Sequence, residues 1–240
     1  MTDRKKLQSY DLVNEDKQEQ PYSDGPKAHY IKTDGNNLEG DGVLSPEEIV
    51  KYQSAKYLFL ITEDDDVQQG ILEGNLRRSI NPRTLDDTLI LTASSVKEAS
   101  DLLGKCRQYA PSASLVVSLD YHMGQNDPGE RTPTEVLFKN EDLIHYLTKG
   151  PVAAVSYTGY PAAVMQSPAI QEAIGTYQDF AFFVADKAEV NSSHVAKFMA
   201  SITNNGNPSR MVKMYSSLGS KVKYNLNGLM NFIEERRRRK

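Results

Sequence analysis

Apolar residues in this chain come in short runs, and between the runs they recur at helical spacing. Tyr57–Thr62 is the first run and reads as a buried strand. Gln68–Arg78 has a helical period that turns Ile71, Leu72 and Leu76 inward. Thr88–Thr92 is a second strand. Ser94 or Ser95 caps a helix carrying Val96, Ala99, Leu102, Leu103 and Cys106, which closes before Pro111. Leu115–Leu119 is a third strand, and a polar loop with Gly124, Pro128 and Gly129 leads to a helix with Val136, Leu137, Leu143, Ile144 and Leu147. Pro151–Ser156 is a fourth strand, Ala162–Tyr177 a helix with Met165 and Ile170 inward, and Phe180–Ala185 a fifth strand. A helix around His194–Ile202 closes the series. Alternation at this spacing means βαβ units. The expected fold is therefore α/β: a five-stranded parallel sheet, doubly wound, with helices on both faces.

The flanks read differently. Residues 1–36 are polar and aperiodic, and are expected to be disordered or to form an arm that orders only against something else. Tyr10, Tyr22 and Tyr30 are the features that could anchor it. Residues 37–48 carry Asp41-Gly42 at the fifth and sixth positions, Leu44 at the eighth and Glu48 at the twelfth, and so resemble an EF-hand calcium loop. Asn37 and Glu39 depart from that motif, and Gly25, Pro26 and Gly35 make a poor entering helix. The same residues also read as a turn followed by a capping box, with Ser45 as cap, Pro46 at N1 and Glu48 reaching back. Beyond the breaker at 203–208, Met211, Tyr215, Leu218, Val222, Leu226, Leu229 and Ile233 share one helical face over 209–240. That face suits either a dimer helix or one packed on its own domain. The expected division is an N-terminal extension (1–55), a central domain (56–203) and an amphipathic C-terminal helix (209–240) with a basic end.

Composition narrows the setting. A net charge of −4 over 240 residues argues against wholesale nucleic-acid binding. Residues 207–240 hold nine Lys/Arg against two Glu, so the remainder stands at about −11. Arg236–Arg239 and Lys240 suit the end of a helix or a solvated tail. Cys106 is the only cysteine, which excludes an intrachain disulfide and points to a reducing compartment. Without an apolar leader or a membrane-length run, a cytoplasmic location is expected.

The chemistry gathers where the strands end. In one parallel sheet their carboxyl ends share a crevice. It would contain Glu63, Asp64 and Asp65 after the first strand and Asp120 after the third. Ser156 would come from the fourth strand and Lys187 from the fifth. Carboxylates brought together repel and stay ionised only with a cation among them, and a hard divalent ion, Mg²⁺, answers that need. A cation, an ammonium and a hydroxyl around one carboxylate make a place to stabilise a phosphoryl group. His145 and His194 fall on helices without ligand spacing to a partner.

With these residues in this order, the stretch 56–203 resembles the receiver domain of two-component response regulators. That family has a flavodoxin-like fold. Its signature is an acidic pair after strand one, a phosphoacceptor Asp after strand three, Ser/Thr after strand four and Lys after strand five. Glu63 and Asp64 match the acidic pair, with Asp64 and Asp65 fitting almost as well; Asp120, followed by Met123, matches the phosphoacceptor; Ser156 and Lys187 match the rest. The resemblance implies phosphoryl transfer to Asp120 from a histidine kinase or phosphotransfer protein, a signalling switch rather than an enzyme, with slow autodephosphorylation at most. It further implies Mg²⁺ held by Glu63, Asp64, Asp120 and the His122 carbonyl, Lys187 paired with the carboxylate and then the phosphoryl group, and Ser156 swinging in. Gly124 and Ala188 stand where the family usually has Pro, Val184 where an aromatic is common, and Tyr157 where a small residue follows the hydroxyl. Tyr157 would cover Asp120 and slow its chemistry, with His122 and Thr158 at the mouth. The alternative is a receiver-like scaffold or binding module that is not phosphorylated.

Overall fold

The computed structural model describes residues 29–32, 44–121, 123, 133–149, 152–177, 180–203 and 222–224; for 29–32 and 222–224 it describes the backbone. Its elements, in chain order, begin with β1 (His29–Lys32), α1 (Pro46–Ser54), β2 (Tyr57–Thr62), α2 (Asp66–Ser79) and the short α3 (Pro82–Leu85). Then come β3 (Thr88–Ala93), α4 (Val96–Tyr109), β4 (Ser114–Leu119), α5 (Pro133–Leu137) and α6 (Glu141–Lys149). The last are β5 (Val152–Thr158), α7 (Pro161–Gln166), α8 (Pro168–Thr176), β6 (Phe180–Asp186), α9 (Ser192–Thr203) and β7 (Val222–Tyr224).

The strand order is β1-β3-β2-β4-β5-β6-β7. Its five central strands, β3-β2-β4-β5-β6, are all parallel, and this is the doubly wound order of flavodoxin-like folds. From β2 the chain steps to β3 on one side and then to β4 on the other. The carboxyl ends of β2 and β4 therefore flank the point where the winding reverses, which is where such sheets open a crevice.

Both faces of the sheet are covered, so its strands are buried almost continuously rather than alternately. One face carries Leu58, Leu60, Leu115, Val117, Leu119, Ala154, Phe182 and Val184 against α1, α4, α6 and α8. The other carries Phe59, Ile61, Val116, Val155, Tyr157, Phe183 and Ala185 against α2 and α9. There Phe183 meets Phe198 edge-on at 4.6 Å between ring centroids.

The helix boundaries follow local chemistry. Ser45 and Glu48 close the capping box on α1, Pro46 standing at its start. Glu48, twelfth in the calcium-like stretch, spends its carboxylate on the Ser45 N–H; residues 37–43 lie outside the described residues. The helix expected over 162–177 is two helices, because Pro168 cannot donate into a continuing turn and instead begins α8. Ile71, expected inside, is 44% exposed, while Leu72 and Leu76 carry the buried face of α2.

The extensions contribute to the sheet. Within residues 1–36, His29–Lys32 pairs in parallel with β3 and so extends the sheet. Within 209–240, Val222–Tyr224 pairs antiparallel with Phe183–Ala185. Val222, expected on the helical face, lies in a strand instead; 204–221 and 225–240 lie outside the described residues. The expected five-stranded parallel sheet is thus present, and among the described residues one further strand is added at each of its edges. The reason is local: β3 and β6 would otherwise present unpaired backbone N–H and C=O groups.

Candidate functional site

Two strands, β2 and β4, end level with one another at the reversal point, and β5 runs on beside them. Thr62 pairs with Leu119, and Leu119 with Ser156. One residue further along each strand stand Glu63, Asp120 and Tyr157. The ladder continues past the formal strand ends, since Asp120 N–H donates to the Thr62 carbonyl and Glu63 N–H to that of Ala93. Lys187, just past β6, closes the group: its Nζ is 2.7 Å from Glu63 Oε2 and 2.7 Å from Asp120 Oδ2. It also lies 5.7 Å from the centroid of the Tyr157 ring.

The acidic run after β2 divides its labour. Glu63 is buried beneath the site, and its backbone carbonyl accepts from Gln69 Nε2. Asp64 is exposed, and its carboxylate lies with those of Glu63 and Asp120 so that one oxygen from each falls within 4.8 Å of the others. Asp65 turns away to cap α2, accepting from Val67 N–H at 2.9 Å and Gln68 N–H at 3.0 Å. Of the two candidate acidic pairs, Glu63 and Asp64 are thus the one that meets Asp120. Asp65→Ala should cost about 1 kcal/mol of stability through the lost cap and leave divalent-ion affinity unchanged. Thermal denaturation and metal titration of one sample would check both halves of that expectation.

Electrostatics follow from this packing. Burial pushes the Glu63 carboxyl up to about 7, with the Asp120 charge adding to the effect and Lys187 opposing it. Burial works against the charge on Lys187, but hydrogen bonds to Asp120 and Glu63 outweigh it and hold its pKa above the usual value. Burial likewise raises the Tyr157 phenol. Three carboxylates against one ammonium leave a net charge of −2 when all are ionised, which one divalent cation would balance. Oxygen donors this close could hold a metal ion. His122, whose carbonyl was expected to complete the set, lies outside the described residues, as does Gly124; Met123 is buried.

Ser156 is not brought to the site. It pairs with Leu119 and Val184, whose side chains lie in the core beneath α4 and α8. Its hydroxyl therefore sits on the opposite face of the sheet from Asp120, fully buried and without a hydrogen-bond partner. The reason is strand length: β5 runs on to Thr158 rather than stopping at Ser156, so side-chain alternation holds through these residues. Tyr157, in consequence, takes the place beside Asp120. Thr158 is buried too, its Oγ1 accepting from Tyr160 N–H. His145 is half-buried and His194 exposed, and neither belongs to the acidic cluster.

Sequence reasoning missed the contact between Lys187 and Glu63, and the register of Tyr157. Alternation counted back from Leu119 and Val155 carries the second signal. No family model matches the chain, and no curated protein matches it. Among the described residues, no helix is long and apolar enough to cross a membrane.

Proposed function

We propose that this chain is a receiver-like phosphoacceptor. Asp120 takes a phosphoryl group from a histidine kinase or phosphotransfer partner in the presence of Mg²⁺, and the modified state changes a protein–protein interaction in signal transduction. The observation that carries this reading is the single ammonium of Lys187 set 2.7 Å from both Asp120 and Glu63 at the reversal point of the sheet. A site of that shape is built to hold anionic oxygen.

The transfer needs little covalent chemistry from the protein. An Asp120 carboxylate oxygen attacks phosphorus, the O–P bond forms, and the bond from phosphorus to the donor's imidazole nitrogen breaks. The electron pair leaves with the imidazole. Glu63, Asp64 and Asp120 would hold Mg²⁺, which when bound supplies positive charge against the phosphoryl oxygens. Lys187 supplies the second positive group, already oriented by two short hydrogen bonds. Asp120 itself is held for attack: its Oδ1 accepts from Tyr121 N–H at 2.7 Å, leaving Oδ2 to Lys187.

The output step differs from the one the resemblance implies. A hydroxyl swinging toward the phosphoryl group would have to come from Ser156, and Ser156 points into the other core. That observation favours a second reading, a receiver-like scaffold that is not phosphorylated. Intact mass after incubation with Mg²⁺ and a small-molecule phosphodonor separates the two. A phosphate-sized increment that disappears in Asp120→Asn is expected. An increment that survives in the variant, or none in the native chain, would overturn the phosphoacceptor reading; in the second case, retained Mg²⁺ binding would support the scaffold.

A further inference from the structure

Lys187 stands on a tight turn between β6 and α9. Within that turn, Glu189 N–H and Val190 N–H both donate to the Asp186 carbonyl, and Ala188 N–H donates to Asp186 Oδ1. The turn is fastened to β5 at its two ends. Lys187 N–H donates to the Thr158 carbonyl at 2.9 Å, and the Tyr157 hydroxyl donates to the Val190 carbonyl at 3.0 Å. Between the fastenings, the Tyr157 ring lies 5.7 Å from the ammonium. Tyr157 is buried, so this bond is shielded from competing water.

We infer that Tyr157 is a positioning residue for Lys187: its hydroxyl clamps the far end of the turn and its ring supports the ammonium, fixing that ammonium between Asp120 and Glu63. Two departures from the receiver pattern then explain one another. Ala188 stands where a Pro usually follows the Lys and would stiffen the backbone. A hydrogen bond from the neighbouring strand does that work here, and it requires a long hydroxyl-bearing side chain in place of a small residue. Tyr157 is therefore an anchor whose hydroxyl is tied to the Val190 carbonyl. Its functional consequence rests on the phosphoacceptor reading; its structural claim does not.

The test uses the full chain, native and as Tyr157→Phe and Tyr157→Leu, without metal or phosphodonor. Tyr157→Phe keeps the buried ring and removes only the donor. Amide exchange at Lys187 and Val190 should then rise roughly tenfold, the size expected for one buried hydrogen bond, while amides of β2 and β4 keep their rates. The side-chain ammonium of Lys187, identified by its absence in Lys187→Arg, should give a slowly exchanging nitrogen–proton NMR signal in the native chain. It should weaken in Tyr157→Phe and vanish in Tyr157→Leu. An unchanged ammonium signal in both variants would overturn the inference, as would faster exchange spread evenly over the whole sheet. Because neither readout involves phosphate, failure of Asp120 to accept a phosphoryl group leaves the positioning role of Tyr157 intact. Phosphorylation of a chain whose Lys187 signal ignores Tyr157 would sink the positioning role alone.

Discussion

Lys187→Met is expected to destabilise the metal-free protein by about 3 kcal/mol near pH 8, with most of the loss recovered on adding Mg²⁺. The lysine is the cation shared by Glu63 and Asp120, both buried. Removing it leaves two carboxylates facing one another without their shared ammonium, and breaking a buried pair in this way costs about 3–5 kcal/mol. The lower end applies because the Lys187 side chain is 25% exposed and water screens part of the charge. A divalent ion should replace the missing ammonium, so Mg²⁺ should stabilise the variant more than the native chain. At about pH 5 the penalty should shrink, because Glu63 is then protonated and no longer needs the ammonium. Urea denaturation at both pH values, with and without Mg²⁺, reads all four quantities. An equal loss everywhere would mean that Lys187 matters through packing rather than charge.

The affinity for Mg²⁺ should fall roughly tenfold for each pH unit below about 7 and be flat above it. Glu63 is the reason. Burial, reinforced by Asp120, lifts its folded-state value to about 7 from an ordinary 4.5. A raised carboxyl contributes stability that is fully present below its unfolded value and lost as pH rises through the folded one. The metal-free protein should therefore weaken between about pH 4.5 and 7 as Glu63 is forced to ionise. Lys187, whose own value is raised, stays charged throughout that window. Metal binding requires ionised Glu63 and so should release close to one proton at about pH 5.5 and almost none at about pH 8. Calorimetric titration in buffers of differing ionisation enthalpy measures that release. A flat affinity from pH 5 to 8 would remove Glu63 from the metal set.

The central sheet was legible because its strands are fully buried and announce themselves as unbroken apolar runs. Tyr57–Thr62 was readable to the residue. Glu63, Asp120 and Lys187 were legible as strand-end polar groups, since a polar residue ending such a run has few other reasons to be there. Ser156 misled for the same reason. It is a hydroxyl inside a strand that goes on through Tyr157 and Thr158, and a small polar residue can sit in a core without marking the strand's end. Val222–Tyr224 could not be read from its own spacing, because the helical period of its neighbours ran through it. His29–Lys32 was hidden differently. Four residues in a polar extension carry no period, and their pairing is set by an edge that lies sixty residues away in sequence.

The two outer strands bear on where this protein can be cut. A fragment trimmed to 56–203, the span that looks self-sufficient in the sequence, would lose β1 from one margin and β7 from the other. It would also lose Tyr52, which lies fully buried in the core. Both margins would then offer open backbone to other chains, and such a fragment would tend to self-associate through them. Clumping by that fragment would reflect the scissors rather than the protein's own association, and quaternary structure is better judged on a chain that keeps residues 29–224.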